Sequence, residues 1–123
     1  MTAEERKNLA SSYLGKVVTI KIDRPKGFVH TKNNVEFTYP INYGYIPGVI
    51  GGDGEELDVY LLLVDEPLEE YTGEIIGIVY RKNDNEDKLV MAPRGTRLSQ
   101  KEIAEQVYFR EQYYKTEIDS LLH

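Results

Sequence analysis

The chain has 123 residues, enough for one compact core and too few for two, so residues 1–123 read as a single domain. Hydrophobic residues make up 41% and charged residues 29%, the balance of a soluble globular protein; the absence of cysteine excludes disulfides and thiolate metal sites. Fifteen basic against 21 acidic residues leave a net charge of −6, which argues against a generic nucleic-acid binder. No apolar run approaches the ~18 residues of a membrane span, and residues 1–14 lack the apolar core of a signal peptide. A cytoplasmic protein with no membrane or nucleic-acid partner is expected.

In chain order, Thr2 and Glu5 form a capping-box pattern, followed by Leu9, Tyr13 and Leu14 and stopped by Gly15, which predicts a short N-terminal helix. Val18, Ile20 and Ile22 alternate with Thr19 and Lys21, the signature of a half-buried strand. Residues 25–27 turn the chain, residues 28–30 form a short strand, and Asn33 and Asn34 turn it into the alternating Val35, Phe37 and Tyr39. An aromatic, proline-bounded turn over residues 39–47 then leads to a buried strand over residues 57–64. Isoleucine-rich residues 74–81 and residues 88–93 read as two more strands around a polar hairpin tip at residues 83–85. Ser99 and Glu102 open a second capping box and a long helix, with a stripe of Ile103, Val107, Tyr114, Ile118 and Leu121 and with Arg110 on the same face. About six short strands and a terminal helix predict a mainly β (α+β) fold, a small barrel with helical flanks.

Asp53, Glu55, Glu56 and Asp58 crowd four carboxylates into six positions beside Gly51, Gly52 and Gly54. Such groups either point apart into water or are held by a hard divalent cation. Asp58 stands inside the start of a buried strand, where an unpaired charge is expensive, and this favours a metal. Oxygen ligands without histidine or cysteine suit Mg²⁺ or Mn²⁺ and not zinc. Asp84, Glu86 and Asp87 form a second acidic group; strand alternation puts Glu86 and Lys88 on one face and Asp87 on the other. Tyr39, Tyr43, Tyr45 and Tyr114 are either core aromatics or hydroxyl donors to phosphate. His30 and His123 are isolated, and no Walker, serine-elbow or Rossmann pattern occurs.

Taken together, Tyr39-Pro-Ile-Asn-Tyr43-Gly-Tyr45-Ile-Pro, the following Asp53 and Asp58, the acidic group before Lys88-Leu-Val and the Tyr114-Lys115 pair resemble family I soluble inorganic pyrophosphatases over about residues 18–115. The resemblance implies an OB-like five-stranded barrel and Mg²⁺-dependent hydrolysis of pyrophosphate. It implies that Asp53 and Asp58 bind metal, joined by Glu86 and by Asn83 or Asp84. Asp58 would help activate the attacking water, Glu55 would assist as a general base, and Tyr43 would sit beside that water. Lys88, Tyr114, Lys115 and Tyr39 would grip phosphate. The chain departs from the family on its first strand, where Thr19 and Lys21 replace a lysine and a metal-binding glutamate, so that Lys21 could contact phosphate directly. His30, Thr31 and Lys32 occupy the stretch where the family has an arginine. Two alternatives stay open: hydrolysis of another small phosphoanhydride, and a non-catalytic pyrophosphate- or nucleotide-binding module. An OB-fold binder of single-stranded nucleic acid is opposed by charge. Self-association is left open.

Overall fold

The computed structural model describes residues 1–84 and 86–122; Asn85 of the expected hairpin tip and His123 lie outside them. Helix α1 (Ala3–Ser11) forms where the capping box predicts it: Thr2 accepts from the Glu5 backbone N–H and the Glu5 carboxylate accepts from that of Thr2. The strands follow as β1 (Val17–Arg24), β2 (Val29–Lys32), β3 (Val35–Thr38), β4 (Asn42–Ile50), β5 (Glu56–Leu61), β6 (Glu70–Arg81) and β7 (Asp87–Ala92). Helix α2 (Gln100–Glu111) and strand β8 (Thr116–Ser120) complete the chain.

The main sheet runs β1-β4-β5-β7-β6, and β1 pairs again with β6 to close a five-stranded barrel. The β5–β7 pair is parallel and the other pairs are antiparallel. Closure follows from the length of β6, whose first residues pair with β1 and whose later ones pair with β7. The β2–β3 hairpin forms a separate two-stranded sheet. A closed barrel leaves few unpaired edges.

Alternation gives each barrel strand two faces. Inward, Ile20, Ile22, Leu57, Val59, Leu61, Ile75, Ile78, Leu89 and Met91 fill the barrel. Outward, Tyr43, Tyr60, Leu62, Ile76, Val79 and Val90 form a second core, on which α2 packs through Ile103 and Val107. Gly77 permits this contact: a Cβ there would lie 2.7 Å from Ile103 Cδ1 and 2.9 Å from the Asp119 carbonyl. Gly44 plays the same part between β4 and β1, where a Cβ would lie 1.9 Å from the Lys21 carbonyl oxygen.

Two sequence expectations are corrected. The terminal helix stops at Glu111, and residues 116–120 form β8 on the edge of β6. Ile103 and Val107 belong to the buried helical stripe, whereas Ile118 lies on a strand and Tyr114 and Leu121 outside the helix. The edge of β6 offers backbone partners that a longer helix would leave unmet. Residues 42–50 are not a turn but strand β4, running through Gly44, Pro47 and Gly48 with a register irregularity between Tyr45 and Ile50. A bulge of this kind tolerates proline within a sheet.

Candidate active site

The outward face of β4, β5 and β7 brings together Tyr43, Asp58 and Lys88. Asp58 is paired with Tyr45 and Tyr60 with Tyr43 across β5 and β4, and Lys88 immediately precedes the Leu89 that pairs with Val59 on the parallel strand. Lys88 is fully buried, so its ammonium requires partners. It donates to Asp58 Oδ2 at 2.6 Å, to the Tyr43 hydroxyl at 2.9 Å and to Glu86. Burial tends to raise the Glu86 carboxyl, but the Lys88 ammonium and then Arg81 and Arg110 outweigh it and hold its pKa below the usual value. Glu86 and Lys88 thus share a face as alternation requires. Asp87 is held by Arg6 of α1, at 3.2 Å and 3.3 Å.

Asp53, Glu56, Asp58 and Glu86 line one small cavity together with Gly51 and Gly52. Asp53 sits in the loop before β5, where its Oδ1 accepts from the Glu55 backbone N–H at 3.0 Å. Burial raises its carboxyl pKa, and the charges of Glu86 and Asp58 raise it further. Glu55 is exposed and does not line the cavity; Glu56, one residue on, does so and accepts from the Gly48 N–H.

The hydroxyl of buried Tyr43 stands beside Asp58 and Lys88. Burial first, and then the Asp58 charge, hold its pKa well above the ordinary tyrosine value, so it stays protonated. Tyr39 is buried under Phe28, Phe37 and Phe109, with its hydroxyl accepting from Arg24 Nη1 at 2.5 Å. Tyr114 is half-buried in the turn after α2, its ring stacked on the Arg81 guanidinium at 3.7 Å. Lys115 is exposed; its backbone N–H donates to Asn83 Oδ1 and its carbonyl accepts from the Lys82 N–H, tying the turn to the end of β6. Asp84 accepts from Arg81 Nη1 at 3.3 Å and is not among the residues that line the Asp53–Asp58 cavity.

Lys21 shares the outer face with Asp58, since it pairs with Tyr45, which pairs with Asp58. Its ammonium nevertheless donates to Glu70 at 2.8 Å, and both side chains are more than half exposed. The structure does not bring Lys21 to the cavity. An exposed ion pair contributes little, so Lys21→Ala is expected to leave the melting temperature unchanged and kcat/KM within about twofold. A tenfold rise in KM would restore Lys21 to the site.

Three residues of the site escape the sequence reading. Asp23 follows Lys21 by two and shares its exposed face; partial desolvation by its neighbours, reinforced by the Asp58 charge, raises its carboxyl pKa. Arg24 would point inward by strict alternation, but β1 shifts register between Ile22 and Arg24. A bulge of that kind re-aims a side chain, and the Arg24 guanidinium lies 5.8 Å from the centre of the Tyr43 ring. Arg110 reaches the same ring from α2, at 4.8 Å, and its buried Nη1 has no hydrogen-bond partner among the described residues. The helical stripe put Arg110 on the inner face, but only the position of Tyr43 reveals what it meets.

Among the described residues, no three carboxylate or imidazole side chains are gathered closely enough to hold a metal as they stand. The donor chemistry fits a hard cation, being all oxygen. Asp58 and Glu86 already share one cation, the Lys88 ammonium, so a metal at this pair would share or displace it.

The inorganic pyrophosphatase family model matches residues 14–119. An inorganic pyrophosphatase of Sulfolobus acidocaldarius is 37% identical over 94 residues, covering 71% of this chain and 49% of the relative. One from Xylella fastidiosa is 32% identical over 85 residues, covering 62% and 46%. The chain spans about half the length of the curated relatives it matches. In fold it is similar to the inorganic pyrophosphatases of Ehrlichia chaffeensis, with a TM-score of 0.64, 16% identity and 88% of each chain covered, and Helicobacter pylori, with a TM-score of 0.63, 16% identity and 89% and 87% covered. With the family model spanning the barrel, α2 and most of β8, the chain belongs to the inorganic pyrophosphatase family.

Proposed function

We propose that the chain hydrolyses a small phosphoanhydride, with inorganic pyrophosphate the simplest substrate, using a divalent metal held by Asp53, Asp58 and Glu86. The observation that carries this reading is the convergence of these three carboxylates on one cavity beside the Lys88 ammonium and the Tyr43 hydroxyl. Mg²⁺ or Mn²⁺ there would lower the pKa of a bound water and neutralise phosphate oxygens. Asp58 orients the attacking water and accepts its proton. Lys88 and the protonated Tyr43 stabilise the departing phosphate oxygen, and Tyr114 and Arg110 hold the substrate from the α2 side. Glu55 and Lys115, both exposed, stand at the margin, and Asp84 orients Arg81. No helix among the described residues is long and apolar enough to cross a membrane, and the absence of cysteine suits a reducing cytoplasm.

The test is phosphate release from pyrophosphate by the full chain with Mg²⁺ or Mn²⁺, and with EDTA. Turnover that depends on the metal is expected, together with a higher melting temperature in the metal, because binding to the native state stabilises it. Equal turnover in EDTA would overturn the metal assignment, and no phosphate release from any phosphoanhydride would overturn the enzymatic reading. One observation favours a non-catalytic binding module as the second reading: Lys88 already neutralises Asp58 and Glu86 from within. That reading expects pyrophosphate binding without turnover.

A further inference from the structure

Around the Tyr43 ring the molecule changes sign. Arg24 and Arg110 flank the ring, and Lys32 and His30 line the same depression. Partial burial of His30, and then the positive charges of Arg24, Arg110 and Lys32, hold its pKa below the ordinary value. The depression opens, through Lys32, Phe37, Tyr113 and Tyr114, into a cleft of about 340 Å³ between the β2–β3 hairpin and the turn after α2. Tyr113 at its wall is 76% exposed. Bare pyrophosphate would be fully served by the acidic cavity, Lys88 and the arginines; an aromatic cleft beyond them has nothing in that substrate to hold.

We propose that this cleft takes the base of a nucleoside diphosphate, so that the substrate is a substituted phosphoanhydride; the proposal rests on the reading of the acidic cavity given above. Three observations commit the cleft to this ligand. Its volume falls within the range of small-molecule sites. Three of the residues that line it, Phe37, Tyr113 and Tyr114, are aromatic, and aromatic rings stack on any base. Its inner end is cationic, with the buried Arg110 Nη1 lacking a partner and suited to a phosphate oxygen. The polarity orders the substrate: base against Tyr113 and Phe37, inner phosphate at Arg24 and Arg110, terminal phosphate at Asp58 and Lys88. Water adds to the terminal phosphorus, the bond from that phosphorus to the bridging oxygen breaks, and the bridging oxygen leaves with the nucleoside monophosphate. The products are orthophosphate and the monophosphate, with the proton of the water passing to Asp58.

The experiment is calorimetric titration of the full chain with adenosine methylenediphosphonate and with bare methylenediphosphonate, neither of which has a hydrolysable bridge. The nucleotide analogue is expected to bind at least about tenfold tighter, as a stacked base contributes. Tyr113→Ala is expected to bring its Kd to that of the bare diphosphonate, and Arg110→Gln to weaken both ligands about tenfold. Equal affinities in the parent chain, or an advantage that survives Tyr113→Ala, would overturn the proposal. So would loss of self-association in Tyr113→Ala with nucleotide affinity unchanged, since the cleft would then be covered by a second copy. Tight nucleotide binding without phosphate release from ADP or pyrophosphate would instead sink the catalytic reading and leave the cleft assigned.

Discussion

Asp58→Asn is expected to lower turnover about 100-fold or more at saturating Mg²⁺ while the domain stays folded, the scale seen when one preorganised electrostatic group is lost. The substitution keeps the shape of the side chain and removes its charge. Asp58 lines the acidic cavity and accepts from Lys88 at 2.6 Å, as Glu86 does beside it, and it alone of the two stands within β5. On the proposed mechanism, loss of that charge removes the acceptor for the proton of the water and a ligand for the metal together. Folding survives, because the Lys88 ammonium keeps Glu86 and the Tyr43 hydroxyl as partners. Phosphate release paired with a thermal melt separates the two effects. Turnover within threefold of the parent would remove Asp58 from the reaction, whereas a collapsed melt would make it a structural partner of Lys88.

Arg81→Ala is expected to cost about 3–5 kcal/mol of stability, the range for breaking one side of a buried ion pair. Arg81 is 2% exposed and Glu111 5% exposed. The guanidinium grips Glu111 through two bonds, Nε to Oε1 at 3.0 Å and Nη2 to Oε2 at 2.7 Å. Glu111 also accepts from the Tyr60 hydroxyl at 2.5 Å. This network is what holds the end of α2 on the outer face, next to Arg110. Removing the arginine leaves a buried carboxylate with one hydroxyl donor, and it also frees the Tyr114 ring from its stack on the guanidinium. The double substitution Arg81→Met with Glu111→Gln should recover part of the loss, because the buried Glu111 charge is gone and the other two carboxylates that Arg81 pairs with, Asp84 and Glu86, are partly exposed. Urea denaturation of the two variants checks this. A loss below about 1 kcal/mol in Arg81→Ala would mean that water reaches the pair and screens it.

The elements that follow local rules were legible from the residues alone. Both capping boxes form their reciprocal bonds, at Thr2 with Glu5 and at Ser99 with Glu102. The alternation of Val18, Ile20 and Ile22 against Thr19 and Lys21 sorted the barrel interior from the outer face on β1, because a strand has no other period, whereas residues 57–64 read only as a buried strand and the structure turns Leu57 and Val59 inward against Asp58. The same rule put Glu86 with Lys88 and set Asp87 apart. Where the rule is broken, reading failed: a register shift turned Arg24 outward, and bulged pairing let Pro47 sit within β4.

By itself, then, the order of residues determined the two faces of β1, the shared face of Glu86 and Lys88, the helix starts and the acidic cluster, since each depends on neighbours within one turn or a few positions. Only the tertiary structure decided the partners. Lys88 meets Asp58 across 30 positions and Tyr43 across 45, and Arg81 meets Glu111 across 30. Those pairings depend on which strand lies beside which, and barrel closure through β6 sets that order. The end of α2 was decided in the same way: residues 116–120 continue the chain as β8 because the edge of β6 was there to be paired. Strand pairing at long sequence separation satisfies backbone groups that no local pattern records, which is why the carboxylates and Lys88 were visible in the sequence while the meeting of Lys88 with Asp58, and of Arg24 and Arg110 with Tyr43, was not.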